Sequence, residues 1–495
     1  MRRAAFLITV LALAVPASSH AKKLPSGPTP PLSHEGRWVT DARGRVAIFH
    51  GFNMVYKRPP YEPKATGFGR DDAKFLRHHG FNAIRLGIIY KGIEPKPPVY
   101  GHGYDAAYLE SIADTQKALA RSGVYSLLDF HQDMYNERFQ GEGWPDWAVD
   151  DDGLPAEPKN GFPVNYITMP ALNHAFDHFW ANDPVVGGQR LQDAYAQAWS
   201  NVAGRFAGRR YVLGYDLLNE PWPGTIFPTC LNTAGCPAFD STTLTNFSKR
   251  VIAAIRQTDP ETLAFYEPNV LFNFGAATSH GSTDDPNTGI SFHVYCLAGL
   301  IAGTAGKPCS SLEQLPFQNA DAQSERTGDA QLLTEFGATD DLPTLRRIAD
   351  YADEHMTSWL EWHYCACDDP TTSGPGDTQA LVVDPSKPPT GDNVKLDKLR
   401  VLERPYPQAV AGTPKDWSLD PDTQTFRLEY STEGPDGKLL RRRTKTVVST
   451  PELQYPDGYL ADIHGARRVS GRDAARLKLR RSRHAGEVRV TVTPR

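Results

Sequence analysis

Two glutamates in this sequence each bring an apolar run to an abrupt end. Glu220 ends the run in YDLLNEPW, between Asn219 and Pro221, and Glu335 ends the run in QLLTEFG. Parallel strands that end in this way present their last polar side chains at one edge of a buried sheet. Two carboxyl groups held about 5 Å apart can hydrolyse a glycosidic bond, because one protonates the leaving oxygen while the other attacks the anomeric carbon.

Neighbouring residues fit the same chemistry. The Asn219 amide can bind a sugar 2-hydroxyl, a contact that strengthens in the transition state. Arg85 ends the run NAIR, and a buried guanidinium there can hold the nucleophile ionised. An ordinary ion pair of the barrel is the alternative for Arg85. We expect no cofactor and no metal.

More polar residues end neighbouring runs. His131 and Asp133 follow one predicted strand, and His293 and Tyr295 end another. A tyrosine can donate to the nucleophile and a histidine can orient the acid, although each is also an ordinary polar group for a strand end. Glu267 also precedes a proline, but it lacks an asparagine neighbour, so it is the weaker carboxyl candidate.

Eight near-continuous apolar runs alternate with amphipathic helical patterns, as in a parallel sheet covered by helices. The predicted strands are Val46–Asn53, Phe81–Leu86, Val124–Phe130, Tyr211–Leu218, Thr262–Tyr266, Ile290–Tyr295, Gln331–Glu335 and Ser358–Tyr364. Helical spacing is found in residues 108–119, 191–206, 244–255 and 342–348. It is weakest between the sixth and seventh strands. The alternation predicts an α/β fold, a (β/α)8 TIM barrel over residues 22–400, with strands four and seven opposed across its mouth.

Long loops follow several of these strands. An insertion of about 55 residues after the third strand carries Trp144, Trp147 and Trp180. Further long loops cover residues 222–242, 296–325 and 365–395. Because such loops line the mouth of this fold, they predict a deep groove for an extended ligand with apolar parts.

The pattern changes near residue 400. Phe426, Leu428 and Tyr430 alternate with polar residues, which predicts a small antiparallel β-sandwich over residues 401–495. Residues 438–495 carry a net charge of +10. These basic residues either lie on solvated strand faces or attract an anionic surface, that of lipids or of sialylated glycans. The whole chain has a net charge of −5, too mild to indicate a nucleic-acid partner, and we expect a monomer.

The chain begins with the pattern of a signal peptide over residues 1–21. Arg2 and Arg3 precede an apolar run over 6–15, and Ser19 and Ala21 form a small-residue cleavage site. The pattern predicts a secreted, extracellular protein, with an uncleaved anchor as the alternative.

Six cysteines agree with export, because disulfides persist in oxidising compartments. They fall into local pairs: Cys230 with Cys236, Cys296 with Cys309, and Cys365 with Cys367. We predict the first two as disulfides. The connectivity of the last pair stays open, and a metal site with His363 is its alternative.

Taken together, these motifs resemble glycoside hydrolase family 5, whose members are retaining (β/α)8 enzymes. Three segments carry a narrower resemblance to the endoglycoceramidases of actinobacterial type: GFNMVYKRPPY at 51–61, LDFHQDMY at 128–135 and LLNEPWPG at 217–224. The resemblance implies hydrolysis of the β-glycosidic bond between the oligosaccharide and the ceramide of a glycosphingolipid. It leaves open the glycan series and the choice between glucosyl and galactosyl linkages.

The resemblance also implies residue roles, with Glu220 as acid and base and Glu335 as nucleophile. The implied substrate-binding residues are Lys57, Arg85, His131, Asp133, Trp180, Asn219, His293, Tyr295 and Trp362. Lys57 rests on the resemblance alone, since by itself it reads as an exposed loop lysine. Trp362 is preferred to Trp359 because it lies nearer the C-terminal end of its strand.

A ceramide leaving group needs an apolar slot. Trp222, Ile226, Phe227 and Leu231 can build one, or can simply pack their loop on the barrel. Such a substrate also implies peripheral contact with a membrane or micelle. The alternatives are a steryl β-glucosidase, an endo-β-glucanase and an inert glycolipid-binding protein on a hydrolase scaffold.

Overall fold

The structure is a computed structural model of the chain. It describes residues 27–99, 101, 103–185, 187–296, 309, 312–372, 374 and 377–495. The predicted signal peptide over residues 1–21 lies outside the described residues. In the part of the chain that is described, no helix combines the length and apolar character needed to cross a bilayer.

Three short strands precede a closed barrel. They are β1 (Leu32–Glu35), β2 (Trp38–Asp41) and β3 (Val46–Ala47). Within the described ranges, eight parallel strands then close the barrel in chain order, and the last pairs with the first. They are β4 (His50–Met54), β5 (Ala83–Ile89), β6 (Tyr125–His131), β7 (Val212–Asp216), β8 (Ala264–Tyr266), β9 (Thr288–Val294), β10 (Ala330–Phe336) and β11 (Trp359–Glu361). The predicted TIM barrel is confirmed.

The first predicted strand is longer than the strand that the structure has there. The run Val46–Asn53 is not one strand: β3 pairs antiparallel with β2 and with a strand of the C-terminal part, and β4 begins the barrel. Val46 and Ile48 pack in the C-terminal core, whereas Phe52 packs in the barrel core. An unbroken apolar run does not reveal where one core ends and the next begins.

Helices cover the barrel, and the predicted ones are among them. The helices are α1 (Arg70–His78), α2 (Tyr90–Ile93), α3 (Ala106–Ser122), α4 (Asn165–Thr168), α5 (Pro170–Ala181), α6 (Leu191–Phe206), α7 (Thr245–Arg256), α8 (Leu315–Thr327), α9 (Leu342–Glu354) and α10 (Leu396–Leu402). Asp105 caps α3 by accepting from two backbone amides, and Gly123 ends it at φ 76°. The predicted helices match α3, α6, α7 and α9, and α8 fills the weakest position. Helix α5 lies within the long insertion, where the sequence indicated only a loop.

The C-terminal part forms two antiparallel sheets that pack around one core. Its strands are β12 (Tyr406–Val410), β13 (Thr413–Asp420), β14 (Thr425–Ser431), β15 (Thr446–Ser449), β16 (Tyr459–His464), β17 (Ala466–Arg468), β18 (Arg476–Arg481) and β19 (Glu487–Pro494). One sheet has the order β1-β2-β3-β12-β15-β18-β17 and the other β13-β14-β19-β16. Residues 32–47 therefore complete a sheet made mostly of residues beyond 405. Local alternation cannot indicate this, because the pairing partners lie far apart in the chain.

The sandwich contacts the barrel where the barrel strands begin. The His50 ring stacks on Tyr406 with centroids 3.7 Å apart, and the Tyr406 hydroxyl donates to the Gly80 carbonyl at 2.8 Å. Trp417 donates to Asp353 Oδ1 at 2.8 Å. Since Gly80 and Asp353 both precede barrel strands, the sandwich lies at the end opposite the mouth.

All six cysteines are paired. The disulfides are Cys230–Cys236, Cys296–Cys309 and Cys365–Cys367. The alternative of a metal site at the third pair is wrong, because both thiols are oxidised. His363 instead accepts a hydrogen bond from the Val55 amide at 2.8 Å.

Candidate active site

Glu220 and Glu335 meet at the mouth of the barrel. Three atoms lie within 4.8 Å of one another: one carboxylate oxygen of each glutamate and a ring nitrogen of His293. Glu335 belongs to β10 and His293 to β9, whereas Glu220 lies four residues beyond the end of β7. The Glu335 side chain is 5% exposed and the Glu220 side chain 12%. The opposed strands bring one oxygen of each carboxyl group to within 4.8 Å, which is compatible with a retaining pair, whose carboxyl groups lie about 5 Å apart.

Glu335 receives one donor on each carboxylate oxygen. Arg85 Nη1 donates to Oε1 at 2.5 Å, and the Tyr295 hydroxyl donates to Oε2 at 3.0 Å. Burial raises the pKa of Glu335 above its ordinary value, while His293 and Arg85 oppose the rise. Both donors favour the ionised form and fix the plane of the carboxylate.

Arg85 is the centre of a buried charge network. Among the described residues it contacts four carboxylates: Asp129 at 3.0 Å, Asp216 at 2.8 Å, Glu267 at 2.8 Å and Glu335 at 2.5 Å. Burial lowers the pKa of Arg85, but these carboxylates outweigh it and raise the pKa well above the ordinary value. One guanidinium does not balance four carboxylates, so histidines supply further positive charge. His131 Nδ1 donates to Asp129 at 2.8 Å, and His293 Nε2 lies 3.3 Å from Glu267.

Glu220 is held differently from Glu335. Its backbone has φ 45°, in the left-handed region that non-glycine residues seldom adopt. Its Oε1 accepts from Asn273 Nδ2 at 2.7 Å and from His293 Nδ1 at 2.9 Å. Within the described residues, no hydrogen bond engages Oε2. One oxygen is thus anchored and the other is left to face the mouth.

His293 links the two carboxyl groups. Burial lowers its pKa, but Glu267, Glu335 and Glu220 outweigh this effect and raise the pKa well above the ordinary value. This raised pKa favours the protonated ring, whose Nδ1–H donates a hydrogen bond to Glu220. Nδ1 also lies 3.6 Å from a Glu335 oxygen, so the ring reduces repulsion between the two carboxylates.

Glu267, the weaker candidate in the sequence, supports both partners. Its Oε2 accepts from the Glu220 backbone amide at 2.8 Å, and its Oε1 accepts from Arg85. The side chain is only 2% exposed. Glu267 therefore fixes the strained backbone of Glu220 and lies beneath the carboxyl pair, where little of it reaches the mouth.

Asn219 is held at both atoms of its amide, and each atom can make a second hydrogen bond. Its Oδ1 accepts from Arg85 Nη2 at 3.0 Å, and its Nδ2 donates to the Gln132 carbonyl at 3.0 Å. Gln132 returns a bond to the Asn219 carbonyl at 2.9 Å. These bonds join the segment before Glu220 to the end of β6 and fix the orientation of the amide.

A second charge cluster surrounds Lys57. Its ammonium donates to Asp133 at 2.6 Å and to Thr371 at 2.8 Å, and lies 3.2 Å from Asp369. Burial lowers the pKa of Lys57, but Asp133 and Asp369 outweigh it and raise the pKa. The interpretation of Lys57 as an exposed loop lysine is wrong, because the side chain is 2% exposed. Glu142, also buried, lies 3.8 Å from the same ammonium.

Trp362 and His131 complete this second cluster. The Trp362 ring stacks on His131 with centroids 5.2 Å apart, and Lys57 Nζ lies 4.6 Å from the tryptophan ring centre. Burial lowers the pKa of His131, but Asp129 and Asp133 outweigh it and raise that pKa to about 10. Trp359, the alternative, is fully buried beside His50 near the start of the barrel strands. The preference for Trp362 agrees with this placement.

Trp180 lies in the wall of the mouth. Its indole donates to the Trp222 carbonyl at 2.7 Å, and its ring contacts Phe239 and Phe247. These contacts join α5 and α7 to the loop after β7. In the described structure Trp180 thus positions the loop that follows Glu220.

The predicted apolar slot divides into two parts. Trp222 is buried, donates to Asn173 at 2.7 Å and contacts Phe227 with ring centroids 4.8 Å apart, so it packs the loop. Ile226 and Leu231 are 43% and 63% exposed. The packing alternative is correct for Trp222, while Ile226 and Leu231 present an apolar surface to solvent.

Several site residues were missed in the sequence. Asp129 and Asp216 bind Arg85 from inside strands, and Asp129 stands two residues before His131, the spacing that places both on one face. That alternation was a usable signal. The sequence carries no such signal for Asn273 and Asp369, because their positions depend on long-range packing.

Comparison with known proteins agrees with this geometry. Residues 41–368 match the cellulases of glycosyl hydrolase family 5, and residues 404–493 match the glycoside hydrolase family 5 C-terminal domain. The chain is 32% identical to endoglycoceramidase I of Rhodococcus hoagii (strain 103S), over 92% of this chain and 86% of that relative.

Solved structures of endo-glycoceramidase II from Rhodococcus sp. are also similar. Its ganglioside GM3 complex is 28% identical with a TM-score of 0.73, and its lactosyl-enzyme intermediate is 28% identical with a TM-score of 0.70. Each comparison covers 92% of this chain and 99% of the other. A covalent glycosyl-enzyme is the intermediate of a retaining glycosidase. This chain therefore belongs to glycoside hydrolase family 5, in its endoglycoceramidase group.

Proposed function

We propose that this protein cleaves the β-glycosidic bond between the oligosaccharide and the ceramide of glycosphingolipids, with retention of configuration. The observation that carries the proposal is the approach of Glu220, Glu335 and His293 to within 4.8 Å of one another. A separation of about 5 Å between the carboxyl groups suits a double displacement, because it leaves no room for a water between nucleophile and sugar. The relatives named as endoglycoceramidases support the choice of substrate.

In the first step, a Glu335 oxygen attacks the anomeric carbon of the sugar attached to ceramide. A new carbon–oxygen bond forms to Glu335 as the glycosidic bond breaks, and Glu220 transfers its proton to the leaving oxygen. Ceramide leaves with a primary hydroxyl group. Arg85 and Tyr295 hold the attacking carboxylate in its plane, so alignment costs little at the moment of reaction.

In the second step, Glu220 acts as a base. It removes a proton from a water that attacks the anomeric carbon, and the bond to Glu335 breaks. Both carboxyl groups return to their starting states and the intact glycan is released. The unengaged Oε2 of Glu220 is the oxygen we assign to both proton transfers.

The Lys57 cluster is the proposed binding site for the first sugar. Lys57, His131 and Asp133 offer donors and an acceptor close to the carboxyl pair, and Trp362 offers an aromatic face. Asn219 is assigned to the 2-hydroxyl. This combination of polar groups and one ring suits a sugar, whose edges are polar and whose faces are apolar.

An assay with two glycolipids tests the proposal. We expect GM3 ganglioside and lactosylceramide each to give an intact oligosaccharide and free ceramide, with Glu335→Ser protein as the inactive control. Release of monosaccharide alone, or activity restricted to cellulose, would contradict the proposal and favour another family 5 activity.

We also propose that the mouth loops contact the membrane that holds the substrate. Ile226 and Leu231 follow Glu220 in the chain, and Ile167, 62% exposed, lies on α4. Tyr166, beside Ile167, contacts the Trp222 ring with centroids 4.7 Å apart, which joins the two exposed segments. This surface supports membrane contact better than the basic sandwich, which lies at the opposite end of the barrel.

Vesicles distinguish this contact from ordinary substrate binding. We expect the Ile226→Ser, Leu231→Ser double variant to lose activity on ganglioside in phosphatidylcholine vesicles but to keep it on detergent-solubilised ganglioside. The matched control is Leu439→Ser with Leu460→Ser, which removes two leucines of similar exposure, 58% and 54%, one from the loop between β14 and β15 and one from β16. Equal loss in both assays, or in the control, would contradict membrane contact at the mouth.

Export and assembly complete the proposal. We propose a secreted monomer that has lost residues 1–21, which the leader pattern and three disulfides support. Expression in an exporting bacterial host should give a mature protein that begins at Lys22, and light scattering should give the mass of one chain. Retention in the membrane fraction would favour the uncleaved anchor.

A further inference from the structure

A cluster of ligand-type side chains lies in the insertion after β6, apart from the carboxyl pair. A carboxylate oxygen of Asp150, one of Asp152 and a ring nitrogen of His178 lie within 4.8 Å of one another. His178 Nε2 is 3.1 Å from Asp152 Oδ1 and 3.8 Å from Asp150 Oδ1. The two aspartates are half exposed and the histidine is 21% exposed, so an ion can reach them from solvent.

A further carboxylate orients this histidine. His178 Nδ1 donates to Asp183 Oδ2 at 2.6 Å, just beyond the end of α5. In metal sites a carboxylate on the far nitrogen fixes the tautomer and turns the other nitrogen towards the ion. Here that other nitrogen, Nε2, faces Asp150 and Asp152. A surface ion pair between His178 and Asp183 would not need Nε2 to face two further carboxylates.

The two aspartates are held by local bonds of their own. The Asp152 amide donates to Asp150 Oδ1 at 3.3 Å, which folds the segment into a tight turn, and Asp152 has φ 56°. One helical turn before His178, His174 Nδ1 donates to Asp152 Oδ2 at 2.6 Å. The turn and the helix therefore present oxygen and nitrogen ligands from two separate pieces of backbone.

We propose that Asp150, Asp152 and His178 bind a divalent cation, with Zn²⁺ as the best-matched ion. One imidazole nitrogen and two carboxylate oxygens are a ligand set that Zn²⁺ accepts readily, and solvent can fill the remaining position. Ions that take only oxygen ligands, such as Ca²⁺ and Mg²⁺, gain nothing from the imidazole. The site departs from the sequence-based expectation that no metal is bound.

The charge of the cluster favours a cation. Three carboxylates surround His178: Asp150 at 3.8 Å, Asp152 at 3.1 Å and Asp183 at 2.6 Å. A divalent ion between Nε2 and the two aspartates would offset their mutual repulsion.

Helix α5 connects this site to the catalytic loop. On α5, Asn173 accepts from the Trp222 indole at 2.7 Å, and Asp177 accepts from the Thr225 amide at 3.0 Å and from its hydroxyl at 2.6 Å. A cation that joins residues 150–152 to α5 would thus stiffen the wall that carries the segment after Glu220. Its expected role is structural, and the inference does not depend on the proposed substrate.

Direct titration tests the site. Tag-free protein, stripped with a chelator, should bind one Zn²⁺ per chain in calorimetry at neutral pH and unfold at a higher temperature in its presence. Ca²⁺ and Mg²⁺ should bind at least tenfold more weakly. A wild-type protein that shows no saturable Zn²⁺ binding would overturn the proposal.

Variants locate the bound ion. His178→Ala and Asp152→Asn should each remove the calorimetric signal, and Asp183→Asn should weaken binding roughly 10- to 100-fold because only the orienting partner is lost. His464→Ala is the control, since among the described residues this exposed histidine pairs with a single carboxylate, that of Asp462, at 3.2 Å. If His178→Ala does not fold, loss or retention of Zn²⁺ binding in Asp152→Asn tests the site.

Among the residues that the structure describes, two other groups of ligand-type side chains are close enough to hold a metal, one of them Glu220, His293 and Glu335. Zn²⁺ binding that persists unchanged in both the His178→Ala and Asp152→Asn variants would place the ion elsewhere and overturn the assignment. A lower melting temperature in these variants, without any response of the wild type to Zn²⁺, would reduce the cluster to a surface ion pair.

Discussion

Glu335 and Glu220 come from opposed sides of one barrel mouth, but the protein holds them by different means. Glu335 lies within β10, with Arg85 on one oxygen and Tyr295 on the other. Glu220 lies beyond its strand in a left-handed conformation, with Asn273 and His293 both on Oε1. It is also the more exposed of the two, at 12% against 5%.

The difference corresponds to two chemical tasks. A nucleophile must be ionised and aligned, and donors on both of its oxygens serve both needs. An acid that later becomes a base must gain and lose a proton, so one oxygen has to remain accessible. The left-handed backbone of Glu220 turns that oxygen towards the mouth, and Glu267 stabilises this strained conformation by accepting from the Glu220 amide.

Removal of the nucleophile should have the largest effect. We expect Glu335→Ser to lower kcat on lactosylceramide roughly 10⁴-fold, because no other carboxylate is aligned for attack. Binding should survive, since the Lys57 cluster is untouched, and calorimetry with a soluble ganglioside measures it. The matched control is Glu361→Gln, which alters another buried glutamate on the next strand, 2.8 Å from Lys398. Full activity of Glu335→Ala would contradict the assignment.

Removal of the acid should have a smaller effect that depends on the substrate. We expect Glu220→Ala to lower kcat about 10²- to 10⁴-fold on lactosylceramide, whose alcohol leaving group needs a proton. The first step on a nitrophenyl lactoside should be nearly unchanged, because nitrophenolate leaves without protonation. Burst kinetics separate the two steps. An equal loss in the first step on both substrates would show that Glu220 is not the acid.

Much of this comparison could be predicted from the sequence. The strands that carry both glutamates are long apolar runs, and strands buried on both faces leave that signal. His293 and Tyr295 lie at the end of such a run, so their place at the mouth followed from the strand assignment. Arg85 was expected to end its strand but lies inside β5, which continues to Ile89. The spacing of Asp129 and His131 carried the same information.

The remaining site residues could not be predicted, for physical reasons. Lys57 is buried only because Asp133 and Asp369, distant in sequence, surround its ammonium. Asn273 reaches Glu220 from a 3-10 helix of five residues, Val270–Phe274, too short to leave a periodic pattern. Strand β3 joins the C-terminal sheet through β12, more than 350 residues later in the chain. Each depends on tertiary contacts that leave no local mark.

A change in the hydrogen bond to Glu335 should have an intermediate effect. Burial raises the pKa of Glu335, so activity should fall as the pH drops through a value above the ordinary glutamate range. Tyr295→Phe removes a donor that favours the ionised form. We therefore expect kcat/KM to fall roughly 10- to 100-fold and its acidic limb to move to higher pH.

Tyr266→Phe provides the control for this change. Tyr266 also donates from a buried hydroxyl to a carboxylate, Asp329, at 2.9 Å, but its partner precedes β10 at the opposite end of the barrel. This variant should lower stability without moving the pH profile. A profile that is unchanged in Tyr295→Phe would show that the tyrosine does not tune the nucleophile.

The smallest effect should come from the amide that anchors Glu220. Asn273→Ala leaves His293 as the remaining partner of Oε1, so the carboxyl group gains rotational freedom and spends less time with Oε2 towards the leaving oxygen. We expect kcat on lactosylceramide to fall about 3- to 10-fold with KM unchanged. The first step on nitrophenyl lactoside should be unaffected, since it does not need the acid. Asn319→Ala is the control, because Asn319 donates to two carbonyls of the neighbouring loop, those of Gly275 and Ala276. An equal loss in both variants would mean that Asn273 acts on loop structure, whereas a loss confined to Asn273 and to the natural leaving group would show that Glu220 needs one oxygen held for the other to work.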